Sequence, residues 1–592
     1  MKAIKDSFLF SMLLCSAAIA QQSTVPKTEK IARTGIIEPL RIHPDPWDVQ
    51  IANEPERKIF ISEANRKLME EKTKLKQHNA NKTISPSKSQ TLSPLSPVMH
   101  SNFGGLKGGG PPDNGTAVSN GNYIINTINA SMAVYDTSGN SLYSMSLTSF
   151  FGLPSGSYLT DPRVIYDSYA DRFILAITGG NLTEHIAFSQ TNNPTGAWNK
   201  YDYAPNGNGS SQQYLDYPYC GVTEYEYFMQ VLDLQSGNGV LMQISKAEGY
   251  KGDSLRIKKW TAGGNVCMAN HGQSGSPYGT KAYFVETPGG SAVTLYELSD
   301  TLGGNPKLNT YNLTVPNAYS VAGKVSEKGS SSTLEPTDNR VGNAIFLNGT
   351  IHFAFQTDYN NLGYWVICYN RINVAAKTMT TYYHTASNSD LCQPSLASFA
   401  SSPTDKTVLL CYQESNPNIY PSIRTIICDD AGNWSNVLNV KDGTGALNNY
   451  GRWGDYTSCT RRHNAKIPTA WLSAEYGSAS TPPTWIAEIT LNGGTVTGIS
   501  ETPASVQNMK VFPNPLTEDR FTIEFELPAD TKQLTISLVD TRGRIVKELF
   551  SGEGFAGETS LTFNKNPLGS GLYFVRVNDS DKIVKTAKLL IR

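Results

Sequence analysis

The 592-residue chain has no apolar run approaching 18 residues, which excludes a membrane-spanning helix of ordinary length. It is short of charge: 17% of residues are charged, with 50 Lys and Arg against 51 Asp and Glu. A net charge of −1 leaves no basic stripe to meet a nucleic acid. No C-x-x-C pair occurs, so zinc-ribbon spacing is absent. Neither G-x-S-x-G, H-E-x-x-H nor G-x-x-x-x-G-K-[ST] is present, which removes the common hydrolase elbow, the zincin helix and the P-loop. Gly104-Gly105 and Gly108-Gly109-Gly110 do not open a helix after a strand, so they do not read as a phosphate cradle.

Turn formers and aromatics are what the chain has in quantity. Gly 50, Pro 32 and Tyr 30 point to many short strands rather than helices. At the amino end, Lys2 and Lys5 precede an apolar run from Phe8 to Ala20 that closes on Ala18-Ile19-Ala20. This pattern predicts a secretory signal peptide over 1–20. Cys15 follows the bulky Leu14, which disfavours a lipoprotein cleavage site. Export opens disulfides to the remaining seven cysteines, with Cys411 and Cys428 the best candidate pair. Burial as small hydrophobes is the alternative.

Residues 21–104 predict an N-terminal arm and linker, partly helical or disordered, and a possible propeptide. Ile61, Ala64, Leu68 and Leu75 fall near helical spacing, and a Ser-, Pro- and Lys-rich stretch follows. From residue 105 to about 500 the pattern is strand, turn, strand. Weak repeats carry polar anchors at Asp113, Asp161, Asp216, Asn270, Asp338, Gln393 and Trp453. Repetition at blade-like intervals predicts an all-β architecture with a seven-bladed β-propeller. Residues 505–592 alternate apolar and polar in ISLVD and YFVRV, with Thr541-Arg542-Gly543 as a hairpin turn, and predict a small immunoglobulin-like β-sandwich.

Two resemblances bear on function. The strings DPRVIYDSYADRFIL, RWGDYTS and SQTNNPTGAW make the central region similar to sialidase-like and lectin-like bacterial propellers. In SQTNNPTGAW, Ser189, Gly196 and Trp198 match the Asp-box turn of that group, whereas Asn193 and Pro194 depart from it. The FPNP opening, the DTRGR turn, the GLYFVRV strand and the basic end resemble the type A C-terminal sorting domain of type IX secretion cargo. That resemblance implies passage through the periplasm and outer membrane to the cell surface or medium, with the type IX machinery as partner.

A propeller's ligands meet the mouth of its central channel. Asp161, Arg163, Asp216, His271, Arg340, Arg452, Trp453, Asp455 and Tyr456 are the candidates for that position. Three arginines suit a carboxylate, and the sialidase resemblance would add Glu224, Tyr225, Glu286 or Glu475 as acid–base partners. Trp453 and Tyr456 offer faces to a sugar, with a buried plug as the alternative role for Trp453. Asp338 and Asp455 are weak calcium candidates without the EF-hand run. No other cofactor and no metal site is expected. The expected function is a secreted or cell-surface binding protein for glycan or for a surface or host protein. The alternatives are a glycoside-active propeller enzyme and a structural surface component.

Overall fold

Strands built from β-branched and aromatic residues dominate the computed structural model. It describes residues 21–24, 26–39, 62–79, 92–492 and 507–592, apart from 109–110, 130, 180–182, 205–214, 235, 274–275, 448–450, 479–481, 528–529, 541–544, 566–567 and 580–581. The expected signal peptide and the Thr541-Arg542-Gly543 turn lie outside the described residues. Two units divide the chain, Met1–Gly494 and Thr495–Arg592.

In the first unit, the strands Gly115–Val118, Leu159–Asp167, Leu215–Val222, Cys267–His271, Asn343–Leu347, Asp390–Ser398 and Ser458–Arg461 form a ring. Each neighbours the next, and the last returns to the first. From each, antiparallel strands lead outward. Cys267–His271 and Asn343–Leu347 also pair in parallel, which fuses their strands into one eight-stranded sheet. Separate apolar wedges fill the spaces between neighbouring sheets. Phe150, Phe173 and Trp198 belong to one such wedge, and Cys411, Leu472 and Ile489 to another. Cores between radial sheets, closed on themselves, make this unit an all-β propeller.

The described residues of 21–104, expected as an arm, are built into that unit as strands and a helix. Gln21–Thr24, Lys27–Ile31 and Gly35–Ile37 each extend the outer edge of a sheet, pairing with Leu308–Tyr319, Leu255–Ala262 and Trp198–Tyr203. Backbone donors and acceptors on those edges are thereby covered. Ser96–Lys107 pairs antiparallel with Pro483–Asn492, so the final sheet is completed from upstream of the first. Among the described residues of this segment lies the helix α1 (Glu63–His78), with Ser62 Oγ accepting from the Asn65 N–H at 3.1 Å as its N-cap. Its buried face differs from the expected stripe: Met69, Lys72 and Lys76 are buried, whereas Ala64 is exposed.

The expected Cys411–Cys428 bridge is not formed, and all seven described cysteines are free. The hairpin register explains this. Cys411 lies opposite Thr425 and Cys428 opposite Val408, three residues along the ladder. That offset spans about 10 Å and puts the two side chains on opposite faces, beyond the reach of a disulfide.

The second unit holds a three-stranded sheet (Gln507–Phe512, Arg520–Leu527, Gly557–Asn564) and a four-stranded one (Thr531–Val539, Ile545–Gly554, Gly571–Asp579, Lys582–Ile591). Phe521, Ile523 and Phe525 from the first meet Ile536, Leu538, Val575 and Leu589 from the second in one core. Strict alternation in Arg520–Leu527 places every second side chain inside.

Candidate functional site

Three of the ring strands share a local device at their leading ends. Asp161, Tyr217 and Gln393 adopt left-handed backbone conformations, with φ of 56°, 49° and 54°. Each precedes a proline, and each sits where the pairing register with the second strand shifts. Proline has no N–H for a ladder, so a bulge is where a strand accommodates it. The bulges turn the leading residues toward the axis. The third anchor is therefore Tyr217, one residue beyond the expected Asp216. Asp216 is buried, and its Oδ1 accepts the Tyr217 N–H at 2.7 Å.

Around the axis these ends form a charged and aromatic cluster. Oxygens of Asp113, Asp161 and Asp455 lie within 4.8 Å of one another. Much of their capacity is engaged in ties between sheets. Asp113 accepts from Asn129 Nδ2 at 2.8 Å and from the Asp455 N–H at 2.7 Å. Asp161 Oδ2 accepts the Tyr217 N–H at 3.3 Å, and its own N–H donates to Asn129 at 2.9 Å. Burial, followed by the charges of Asp455 and Asp161, pushes the Asp113 carboxyl up to about 8. The trio is close enough to share a cation, but Asp338, the other calcium candidate, faces an arginine.

The three arginines do gather at this end, and each is held by the chain itself. The Arg163 guanidinium lies 3.5 Å from the Tyr456 ring centre, and its Nε donates to the Pro218 carbonyl at 2.7 Å. Arg340 forms a fork with Asp338 at 2.8 and 3.0 Å and covers the Tyr217 ring at 4.4 Å. Burial works to raise Asp338, but the Arg340 charge and hydrogen bonds outweigh it and hold the carboxyl below its ordinary range. Arg452 Nη2 reaches Asp455 Oδ1 at 2.8 Å. Asp338, Arg452 and Asp455 are the partly exposed members, with side chains 19%, 19% and 13% accessible. Trp453 and Tyr456 are buried, at 0% and 2%, so neither offers an open face to a sugar.

His271 belongs elsewhere. It ends its ring strand rather than beginning it, and lies at the trailing end with Ser168, Ser276 and His463. The His271 and His463 rings stack at 5.4 Å and 11°, and burial holds His271 down to about 4. A cavity of about 120 Å³ runs along the axis, lined by Arg163 and Tyr219 toward one end and by His271, Arg461 and His463 toward the other. Glu224 and Tyr225 occupy the turn that follows Leu215–Val222, away from the arginines. Glu286 accepts from the Tyr296 hydroxyl at 2.8 Å, and Glu475 is buried. The expected acid–base set is not assembled around the arginines. The Asp-box-like string forms a structural turn: Trp198 is buried and its indole N–H donates to the Pro194 carbonyl at 2.9 Å.

Sequence reasoning missed the proline signal. T-D-P-R, D-Y-P-Y and C-Q-P-S align the three bulges directly.

Comparisons with known proteins bear mainly on the carboxyl end. No curated protein matches the chain. Among solved structures, the Cps50 (Swd1) β-propeller domain of Myceliophteria thermophila is similar at TM-score 0.35 and 6% identity, over 65% of this chain and 98% of that one. An apocarotenoid oxygenase of Synechocystis gives 0.27 and 10%, over 63% and 67%. An endo-arabinase of Bacteroides thetaiotaomicron gives 0.24 and 12%, over 48% and 95%. None of these likenesses assigns a ligand or an activity, and the propeller rests on the strand pairing above. Residues 510–592 match the family described as the secretion system C-terminal sorting domain. The strands from Gln507 onward are thus a type IX sorting domain, and the chain is cargo exported to the cell surface or beyond it.

Proposed function

We propose that the protein is a non-catalytic binding protein of the cell surface or medium, recognising glycan or protein ligands through a seven-bladed propeller. The blade number counts one ring strand per blade and treats the eight-stranded sheet as two blades joined by their parallel pair. The C-terminal sandwich is taken as immunoglobulin-like. One observation carries the non-catalytic reading: Arg163, Arg340 and Arg452 are each engaged by a carbonyl, a carboxylate or an aromatic ring of the chain. A glycosidase of sialidase type would need arginines open to an acidic sugar and a carboxylic acid beside them. The rim of Asp338, Arg452 and Asp455 is the proposed polar contact for a ligand.

The test is a glycan array on the chain from residue 21, with fluorogenic glycosides assayed in parallel. Binding without turnover is expected, weakened roughly tenfold by Arg452→Ala, the cost of one charge-assisted hydrogen bond. Turnover by the purified protein would overturn the proposal in favour of the enzyme. Silence in both assays would remove glycans and leave protein ligands or a structural surface role.

A further inference from the structure

The wall of the axial cavity carries charge of one sign. Its described lining residues include two arginines and two histidines, and neither aspartate nor glutamate. At about 120 Å³ the cavity is several times the roughly 30 Å³ that a water occupies in the liquid. Neutral polar groups on the wall are engaged by the chain itself. The Thr116 and Thr457 hydroxyls donate to the Gly115 and Gln393 carbonyls at 2.9 and 2.8 Å. The Asn343 side-chain amide exchanges two hydrogen bonds of 2.8 Å with the backbone of Leu396.

The guanidinium groups keep donors in hand. Arg461 uses only Nη1, which donates to the Ser398 and Ala400 carbonyls at 3.1 and 2.9 Å and to Ser398 Oγ at 3.4 Å. No described group accepts from its Nε or Nη2. Arg163 uses only Nε, on the Pro218 carbonyl, and leaves Nη2 without an acceptor. Arg461 is buried, and Asp405, the acid that acts on it, is bonded instead to the Ser401 and Thr407 hydroxyls at 3.0 and 2.6 Å. Burial pushes Arg461 down to about 10, so it keeps its charge at neutral pH. Burial also keeps the two rings beside it uncharged, with His271 held down to about 4 and His463 well below its ordinary value.

Capping the carbonyls at a strand end takes a donor, not a charge. A buried cation with unused N–H groups and no carboxylate has lost hydration that the chain does not replace. Nε and Nη2 are also the edge on which a guanidinium grips an oxyanion through two parallel bonds. Arg340 gives that same edge to Asp338, at 2.8 and 3.0 Å. A sugar brings hydroxyl donors as well as acceptors, and this wall has no carboxylate to receive them. We propose that the axial cavity binds one small oxyanion, a carboxylate, sulfate or phosphate, on the Nε–Nη2 edge of Arg461, with Arg163 as the second cation on the wall. This site is separate from the rim of Asp338, Arg452 and Asp455, and it stands whether or not that rim binds glycan.

Equilibrium dialysis of the full chain against labelled sulfate, phosphate and acetate, one at a time in a zwitterionic buffer of low ionic strength, tests it. One equivalent of at least one anion should bind per chain, and the three arms separate a tetrahedral oxyanion from a carboxylate. Arg461→Gln, which keeps a neutral donor for the Ser398 and Ala400 carbonyls, should weaken that binding at least tenfold. A folded Arg461→Gln protein that binds as tightly as the unsubstituted one would overturn the proposal, as would failure of all three anions to bind. Crystals of unsubstituted protein soaked in selenate, or in bromoacetate where acetate is the anion that binds, provide a reading that needs no variant. An anomalous peak inside the cavity beside Arg461 is expected, and peaks confined to the outer surface would likewise overturn the proposal.

Discussion

The two units solve the problem of a β core in opposite ways. In the sorting domain, the buried side chains are leucine, isoleucine, valine and phenylalanine, with Thr531 and Ser537 as the buried polar residues among those described. In the propeller, apolar wedges are confined to the spaces between sheets, and the leading end of the axis is filled by Asp113, Asp161, Arg340 and tyrosine rings. A sandwich has two faces to join and needs only apolar area. A ring brings several strand ends to one place, where free backbone groups require polar partners. The aspartates that supply them also bring charges that must be neutralised on the spot. Sequence features that look catalytic at a propeller mouth can therefore arise from the geometry of closure alone.

The contrast can be broken most sharply by deleting 510–592. Export should stop, and the protein should accumulate in the periplasm with its propeller still folded, as fractionation and limited proteolysis would reveal. Loss of folding together with loss of export would show that the units are not independent. Next in size is Asp161→Ala, which takes a negative charge from beside Arg163 and removes acceptors for Tyr217 and Tyr456. It should cost the propeller about 3–5 kcal/mol, the range for breaking a buried charged network. Calorimetry should find the sorting-domain transition unmoved. Ile523→Ala should do the reverse, at about 2–5 kcal/mol for a buried aliphatic truncation.

The smallest effect concerns pH. Asp113 keeps its proton to about 8 in the folded state, against an ordinary 3.8. Its share of stability is full below that ordinary value and is lost as pH rises through 8. Glu184, raised by burial to about 8, has the same sign. His271 and His384, lowered by burial to about 4, act oppositely: their share is full above 6.5 and is lost as pH falls toward 4. Propeller melting temperature should therefore decline from pH 6.5 to 8.5. Asp113→Asn should flatten that decline, and an unchanged slope would place the titrating group elsewhere.

Legibility in the sequence followed the same division. FTIEFEL alternates because one face of its strand is buried, so the sorting domain could be recognised from pattern and motif together. Thr350–Asp358 is buried at every position and has no alternation to find. Only the repeated polar anchors betrayed the ring. Even these were misplaced, Asp216 by one residue and Asn270 by taking the end of a strand for its beginning, an error that the candidate His271 shares. The closing strand SPVMHSNFGGLK was hidden by its serine, proline and glycine, which signal linker unless the partner strand at Pro483–Asn492 is known. Nothing in the sequence marks Lys72 and Lys76 as buried, because their partners, Asp358 and Asp390, are some three hundred residues away.

The strand that completes the last sheet has a kinetic meaning. His100 meets Glu488 across a sequence separation of 388 residues, so the ring closes only when both ends of the unit are available. Contacts that distant in the chain form slowly, because a long loop must be ordered before the pairing rewards it. Synthesis from the amino end makes Ser96–Lys107 early and Pro483–Asn492 late, so the last sheet keeps an open edge until nearly the whole unit has been made.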